Sequence, residues 1–429
     1  MTDTALAVRV DDPKGRLGTP LCVSIDGASP NAMLTVTLEE SAWSARSSAR
    51  YRVGLDGRVD LSRDAPVAGG YEGVDPMGLW WSLEPGASSQ PNLEDSTYRL
   101  SATDDDDGHT ASADLTRVVA DDSVVAESVR GAGLVATVFA AADGQPRPGI
   151  VVLGGSEGGL AERFAAYLAG EGYTTMALGY FGIEHLPPHL CHIPIDPLAS
   201  AIAVFRSRGD VTGRVGLAGA SKGGELALLV AAHFPDLVDV VVGVVPSGVT
   251  FMGIGGGPRS FGCFYRSSWS LRGKPLPFVR MRMTPGVVWK TTLSRAPMRI
   301  ADIYVAALAN ADAVDAAAIP IERFDGPVLL VSAADDGVWP SPQLADIAEA
   351  RLATRTGRAS RHEHVTFENA GHAFGIPYDP AIIDIPGAYM GRTAVLGGTK
   401  AGTARASIGA WARGLEFLSE SLQTPSVLS

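Results

Sequence analysis

Two stretches of this chain read G-x-S-x-G: Gly154-Gly155-Ser156-Glu157-Gly158 and Gly219-Ala220-Ser221-Lys222-Gly223. The pattern describes a strand-to-helix elbow that lifts a serine hydroxyl to the top of a parallel sheet. With 50 glycines in the chain a chance match is unsurprising, so context must separate the two. Ser221 follows the buried-strand run Val215-Gly216-Leu217-Ala218 and opens an apolar helical run from Gly224 to Val230. Its small neighbours Gly219 and Gly223 relieve the crowding of a tight, strained turn. Ser156 follows an earlier strand, where this architecture places the loop that binds an oxyanion. Ser221 is therefore the expected nucleophile.

A serine hydroxyl attacks only when a base takes its proton and a third group orients the base. In this architecture the chain order is serine, acid, histidine. After the strand run Val328 to Val331 come Asp335 and Asp336, and after His364 to Phe367 comes Gly371-His372. Either aspartate could serve; the four-residue step from Asp336 to Pro340 suits the acid turn better, so Asp336 with His372 as base is expected. The backbone N–H of Lys222 is one expected oxyanion donor, and Gly155 or Ser156 in the glycine loop supplies the other. His362 and His364 alternate along a strand and read as surface residues. His185, His189 and His192 flank Cys191, but Pro187 and Pro188 prevent a helix that would face them together, so no metal site is expected.

The elements that must hold these residues differ between the two halves. From Val8 to Ala120, short alternating apolar runs are separated by turn residues, as at Leu21–Ile25, Met33–Leu38, Ala49–Val53 and Thr97–Ala102. Such runs predict an immunoglobulin-like β-sandwich over residues 1–125. Asp104 to Asp107 reads as a hairpin tip. Beyond Val124, continuous apolar strands alternate with helical stretches, which predicts a parallel sheet covered on both faces over 126–429. Residues 252–285, rich in Gly, Pro, Arg and aromatics, read as an excursion that caps the site.

Composition bounds the function. Of 429 residues, 46% are hydrophobic and 19% charged, so a full core can form. The net charge of −12 argues against a nucleic-acid binder or a protein of anionic membranes, both of which need a basic face. Three widely spaced cysteines cannot build a disulfide framework and suit a reducing compartment. The opening residues show no signal-peptide pattern, and the expected location is the cytoplasm.

The sequence resembles the acyl-CoA thioesterases related to bile acid-CoA:amino acid N-acyltransferase. The resemblance rests on Gly70-Tyr71-Glu72-Gly73-Val74-Asp75-Pro76-Met77-Gly78-Leu79-Trp80-Trp81-Ser82-Leu83 in the first half. In the second it rests on Gly216 to Leu228, Pro246-Ser247-Gly248, Arg272-Gly273-Lys274-Pro275, Asp335-Asp336 with Trp339, and Gly371-His372. It implies a β-sandwich followed by an α/β-hydrolase domain, with the family's nucleophile, acid and base falling on Ser221, Asp336 and His372. In that family serine accompanies hydrolysis and cysteine accompanies amino-acid conjugation. The expected activity is thus hydrolysis of an acyl thioester of coenzyme A or an acyl carrier protein, through an acyl-serine and without cofactor or metal. Arg266, Arg272, Lys274 and Arg280 in the excursion are candidate partners for the anionic carrier. Transfer of the acyl group to an amine or hydroxyl uses the same residues and is the rival expectation. An oligopeptidase is disfavoured, since the first half is too short for a propeller of four-stranded blades. In a non-enzymatic reading the sandwich binds a partner.

Overall fold

A computed structural model describes residues 5–41, 44–84, 95–131, 133–255, 258–281, 284–289, 293–355, 361–389 and 391–422. Residues 256–257 and 282–283 of the expected capping excursion lie outside that set. The chain forms two compact units. The first comprises residues 1–121, 373–382 and 399–408, and the second comprises 122–372, 383–398 and 409–429.

In the first unit, the strand Ala45–Arg52 alternates buried and exposed residues along its whole length, the mark of a sheet with one face covered. It belongs to a six-stranded sheet in which Met33–Glu40 pairs antiparallel with both Ala45–Arg52 and Ser96–Asp104. A three-stranded sheet of Ala7–Val10, Val23–Asp26 and Arg58–Asp60 completes the sandwich. Leu34, Val36, Leu38, Ile25 and Leu100 meet in one core with Leu79 and Trp80 of the short helix Gly78–Trp81. Gly78 has no alternative there, since a Cβ would lie 2.3 Å from the Tyr71 ring. Ala381 and Ala404 also enter this core, and the Ala381 N–H donates to Trp81 O at 2.9 Å. This apolar packing is why residues 373–382 and 399–408, read from the sequence as part of the second half, group with the first.

The second unit is built on an eight-stranded sheet. Its strands are β1 (Val124–Gly131), β2 (Leu134–Ala141), β3 (Arg147–Leu153), β4 (Thr174–Leu178), β5 (Val211–Ala220), β6 (Val240–Val244), β7 (Val328–Ala333) and β8 (His362–Phe367). Their order across the sheet is β1-β2-β4-β3-β5-β6-β7-β8. β1 and β2 pair antiparallel with their neighbours, and from β4 to β8 every pairing is parallel. Parallel strands need crossovers, and the apolar runs of β6, up to the partly buried Val244, and of β7 are buried, as expected for a parallel sheet with both faces covered. The crossovers include α1 (Glu162–Gly170), α2 (Asp196–Arg206), α3 (Lys222–His233) and α4 (Ser341–Leu352), and α5 (Lys400–Leu422) closes the chain. Every residue of α3 but the last is buried, which fits its all-round apolar sequence. This is an α/β-hydrolase sheet preceded by a smaller β-sheet domain.

Between β6 and β7 the chain leaves the sheet, with the strands Trp269–Leu271 and Lys274–Pro275 pairing beside Ile193–Pro194. Among the described residues, no helix is long and apolar enough to cross a membrane.

Leu79 is fully buried in the core of the first unit. Leu79→Ala should remove about 2–5 kcal/mol from the stability of that unit. Urea unfolding followed by tryptophan fluorescence is the check, with an early transition expected for the first unit.

Candidate active site

Ser221 stands between the end of β5 and the start of α3 with φ +55° and ψ −120°. A residue with a Cβ adopts this backbone only where the surroundings compel it. Two close approaches provide the compulsion. A Cβ at Gly219 would fall 2.2 Å from Gly223 O, and one at Gly223 would fall 2.2 Å from Leu153 O. The turn is thus pressed between β5, α3 and the end of β3. Hydrogen bonds from Ser221 N to Val244 O at 2.9 Å and from Glu225 N to Ser221 O at 3.0 Å pin its two sides. Val245, just past β6, is a second strained residue, with φ +40° despite its branched side chain. Its carbonyl accepts from Trp339 Nε1 at 3.1 Å.

The loops after β7 and β8 bring Asp336 and His372 together. His372 Nδ1 lies 3.0 and 2.9 Å from the two Asp336 oxygens. The Asp336 side chain is 1% exposed and that of His372 13%. Asp336 Oδ1 also accepts from the N–H groups of Val338 at 2.9 Å and Trp339 at 3.2 Å. Asp335 turns away, half exposed, to Arg299 at 2.8 Å and to the Gly398 N–H at 2.9 Å. The Trp339 ring stands edge-on to the imidazole, 6.0 Å between centroids. β5, β7 and β8 run parallel, so Ser221, Asp336 and His372 all leave the same edge of the sheet. No hydrogen bond joins the Ser221 hydroxyl to His372 here; such bonds commonly tighten only around substrate.

One clamp on these loops escaped the sequence reading. The Leu396 carbonyl accepts from both Gly337 N at 2.8 Å and His372 N at 3.0 Å, tying the acid and histidine loops to one residue. The chain must come very close to do so: a Cβ on Gly397 would lie 1.8 Å from Asp335 O, and one on Gly371 would lie 2.1 Å from Gly397 O. Gly397 and Gly398 both have positive φ, and that adjacent pair was the available signal.

The glycine loop lies after β3. Tyr180, buried, donates its hydroxyl to Gly154 O at 2.5 Å and approaches Gly155 O at 3.2 Å. The Gly155 N–H donates to Glu157 Oε1 at 2.7 Å, whereas Ser156 is exposed. On the other side, the Lys222 side chain is 1% exposed and its ammonium meets both Glu225 oxygens, at 2.9 and 3.1 Å. Burial pushes the Lys222 ammonium down and the Glu225 carboxyl up from their ordinary values, and each opposes the other's shift by attraction. Sequence reasoning assigned Lys222 only a backbone role and overlooked Glu225.

The four excursion cations are exposed and do different things. Arg272 and Gly273 have positive φ at the turn between Trp269–Leu271 and Lys274–Pro275, and the Arg272 N–H donates to Asp196 at 2.8 Å. Lys274 follows on the second strand. The backbone of Arg266 donates to Cys263 O and accepts from Gly253 N. Arg280 lies over the Phe278 ring at 5.3 Å, and both line a cavity of about 700 Å³ with Met281, Ala307 and Asn310. Of the other histidines, His364 is only 8% exposed rather than at the surface. It packs under α4 between Ser332 Oγ at 2.8 Å and the carboxylates of Asp346 and Glu349.

Comparison with known proteins adds the family. Residues 193–424 match the family described as "BAAT / Acyl-CoA thioester hydrolase C terminal". Residues 18–131 match its companion, "Acyl-CoA thioester hydrolase/BAAT N-terminal region". The chain belongs to this family. Among its relatives, "Acyl-coenzyme A thioesterase 5" of Mus musculus is 30% identical, with 92% of this chain and 91% of that protein covered. "Acyl-coenzyme A thioesterase 1" of Homo sapiens is 29% identical, with 94% of each covered. "Peroxisomal succinyl-coenzyme A thioesterase" of Mus musculus is 29% identical, with 96% of each covered.

The clamp can be tested apart from any substrate. Gly397→Ala should push the acid turn away from the histidine loop and slow labelling of Ser221 by a fluorophosphonate at least ~10-fold. Gly414→Ala in α5, where a Cβ would meet open space, should label at the original rate.

Proposed function

We propose that this family member hydrolyses acyl thioesters, with coenzyme A esters as its substrates, through an acyl-serine on Ser221. The observation that carries the reading is the buried Asp336 carboxylate gripping His372 Nδ1 at 2.9–3.0 Å, at the sheet edge where the strained elbow presents Ser221. With Nδ1–H donated to Asp336, the Nε2 lone pair is left to take the serine proton.

In this mechanism Ser221 Oγ attacks the thioester carbonyl as His372 accepts its proton. The resulting oxyanion rests on the Lys222 N–H, pre-aimed at the first turn of α3, and on a second N–H from the glycine loop. Ser156 is the better second donor, because Gly155 already spends its N–H on Glu157. Collapse of the tetrahedral intermediate breaks the C–S bond. The departing thiolate needs little help, since an ordinary thiol has a pKa near ~8.5. Water, losing its proton to His372, then cleaves the ester and returns Ser221. No step calls for a metal or cofactor.

Membership of the thioester hydrolase family and the names of its relatives, all coenzyme A thioesterases, support coenzyme A as the carrier. Of the four cations, Arg280 borders a cavity of about 700 Å³ and is the one assigned to the carrier's phosphates in this reading. The three free cysteines, Cys22, Cys191 and Cys263, fit action in the reducing cytoplasm. Serine at position 221 favours water over an amine as acceptor, because an oxygen ester is attacked by amines more sluggishly than a thioester.

The reading is tested with a panel of acyl-CoA esters and single substitutions. Ser221→Ala should abolish turnover. Asp336→Asn should lower kcat about 10⁴-fold by leaving the wrong tautomer of His372, while Asp335→Asn should cost less than ~10-fold. Equal losses from the two aspartates, or no hydrolysis of any acyl-CoA by the unaltered protein, would overturn the proposal.

A second prediction follows from the atom at position 221. Ser221→Cys should lower overall turnover and raise the ratio of amide to free acid when glycine or taurine is supplied. Mass spectrometry of the products at fixed pH and amine concentration is the measurement. A ratio that stays level or falls would show that pocket shape decides the acceptor.

A further inference from the structure

The side chain of Lys222 runs away from the site that its backbone N–H is proposed to serve. Its three ammonium hydrogens are matched by three acceptors: Glu225 Oε1 at 3.1 Å, Glu225 Oε2 at 2.9 Å and Ser268 Oγ at 3.1 Å. Glu225, with no exposure at all, also receives Trp269 Nε1–H at 2.6 Å and the Phe251 N–H at 3.3 Å. Ser268 passes its own proton to Met252 O at 2.8 Å. The pair is fully satisfied, and its hydrogen-bond partners outside α3 are Phe251, Ser268 and Trp269, all beyond β6.

The same two residues reach the rest of the site through intervening aromatic side chains. The Lys222 ammonium lies 5.8 Å from the Phe251 ring centroid and 5.9 Å from that of Trp339, which makes a T-shaped contact with His372. Trp269 packs on Tyr180, with centroids 5.7 Å apart, and Tyr180 holds the carbonyls of Gly154 and Gly155 in the glycine loop. A buried ion pair is a poor source of stability, because desolvation of both charges offsets their attraction. Apolar side chains of similar size would fill the same space, so packing alone does not call for this pair.

We propose that Lys222 and Glu225 are a positioning pair that dock Phe251, Ser268 and Trp269 onto α3 and thereby hold the two oxyanion donors in register with His372. The inference rests on the serine mechanism proposed above. Neither side chain touches the reacting atoms; both act through the groups they hold. Loss of the pair should therefore lower the rate of attack at Ser221 and leave substrate affinity nearly unchanged.

The experiment compares Lys222→Met combined with Glu225→Gln against the unaltered chain. The double variant removes both charges and keeps an acceptor for Trp269 and Phe251, avoiding the unpaired buried charge that either single change would leave. Four quantities are measured: Tm, the second-order rate of Ser221 labelling by a fluorophosphonate, and kcat and KM for one acyl-CoA. The expected result is a Tm close to that of the unaltered chain, labelling and kcat at least ~10-fold slower, and KM within ~3-fold. Full labelling and full kcat at normal Tm would overturn the proposal. Trp269→Phe serves if the double variant does not fold. It removes one donor to Glu225, keeps an aromatic ring, and should slow labelling several-fold with KM unchanged; an unaltered labelling rate would overturn the proposal equally. Labelling depends on no assumption about substrate, so absence of labelling at Ser221 in the unaltered chain would overturn the serine mechanism and this inference with it, whereas full labelling and full kcat in the double variant alone overturns only this inference.

Discussion

The structure turns on a steric constraint: three backbone segments meet at Ser221 with no room for a Cβ on either flanking glycine. At Gly219 and Gly223 the imagined methyl would stand 2.2 Å from a carbonyl oxygen. That proximity forces Ser221 to φ +55°, a conformation costing of order 1–3 kcal/mol for a non-glycine residue. Strain of this kind survives only where the surroundings over-determine it. Here the parallel pairing of β5 with β3 and β6 fixes one side of the turn, and the buried α3 fixes the other. The benefit lies in direction. The serine is lifted off the sheet edge while the N–H groups at the start of α3 point where negative charge would develop.

A second cost accompanies the first. The chain places a lysine immediately after this serine and buries it completely, against the usual rule that charges stay wet. Glu225 one turn along α3 makes that tolerable, and an indole N–H, a backbone N–H and a serine hydroxyl complete the set of partners. Attraction within the pair favours both charged forms, while burial favours both neutral ones. Three N–H or ammonium donors converge on Glu225 Oε1, which is the arrangement an ionised carboxylate requires. The strained turn and the buried pair share one short helical segment, and Phe251, Ser268 and Trp269 are hydrogen-bonded directly to it.

Much of this was legible in the sequence, because it follows local rules. The apolar runs of β6 and β7 announce strands buried on two faces, and the alternation in Ala45–Arg52 announces a sheet covered on one. Gly219 and Gly223 around Ser221 announce a turn that admits no side chain. Other features depend on contacts far apart in sequence and carry no periodic signal. The Leu396 clamp joins loops after two different strands. Residues 373–382 and 399–408 leave the second half for an apolar core built by the first. His364 was read from alternation as exposed, but α4 lies over that face of β8, and its Asp346 and Glu349 supply the polar partners that let an imidazole be buried. The partners of Lys222 were equally hidden, since Ser268 and Trp269 lie in a segment without regular pattern.

The adjacent aspartates show how position alone can divide two identical side chains. Neighbouring residues in an extended turn face opposite ways, so only one of Asp335 and Asp336 can reach an imidazole on the next loop. Asp336 turns inward, where the N–H groups of Val338 and Trp339 fix one oxygen and leave both within reach of His372. Asp335 turns outward, yet it is not idle. Arg299 reaches Asp335 Oδ1 at 2.8 Å and the Asp336 carbonyl at 2.9 Å, so one guanidinium offsets the charge of the outer carboxylate and braces the backbone of the inner one. The Gly398 N–H on Asp335 Oδ2 ties that same turn to the segment whose Leu396 carbonyl holds the histidine loop. Two carboxylates in sequence would repel each other if both faced the imidazole. Here the outer one is partnered by a cation and a backbone N–H, and only the inner one faces the histidine.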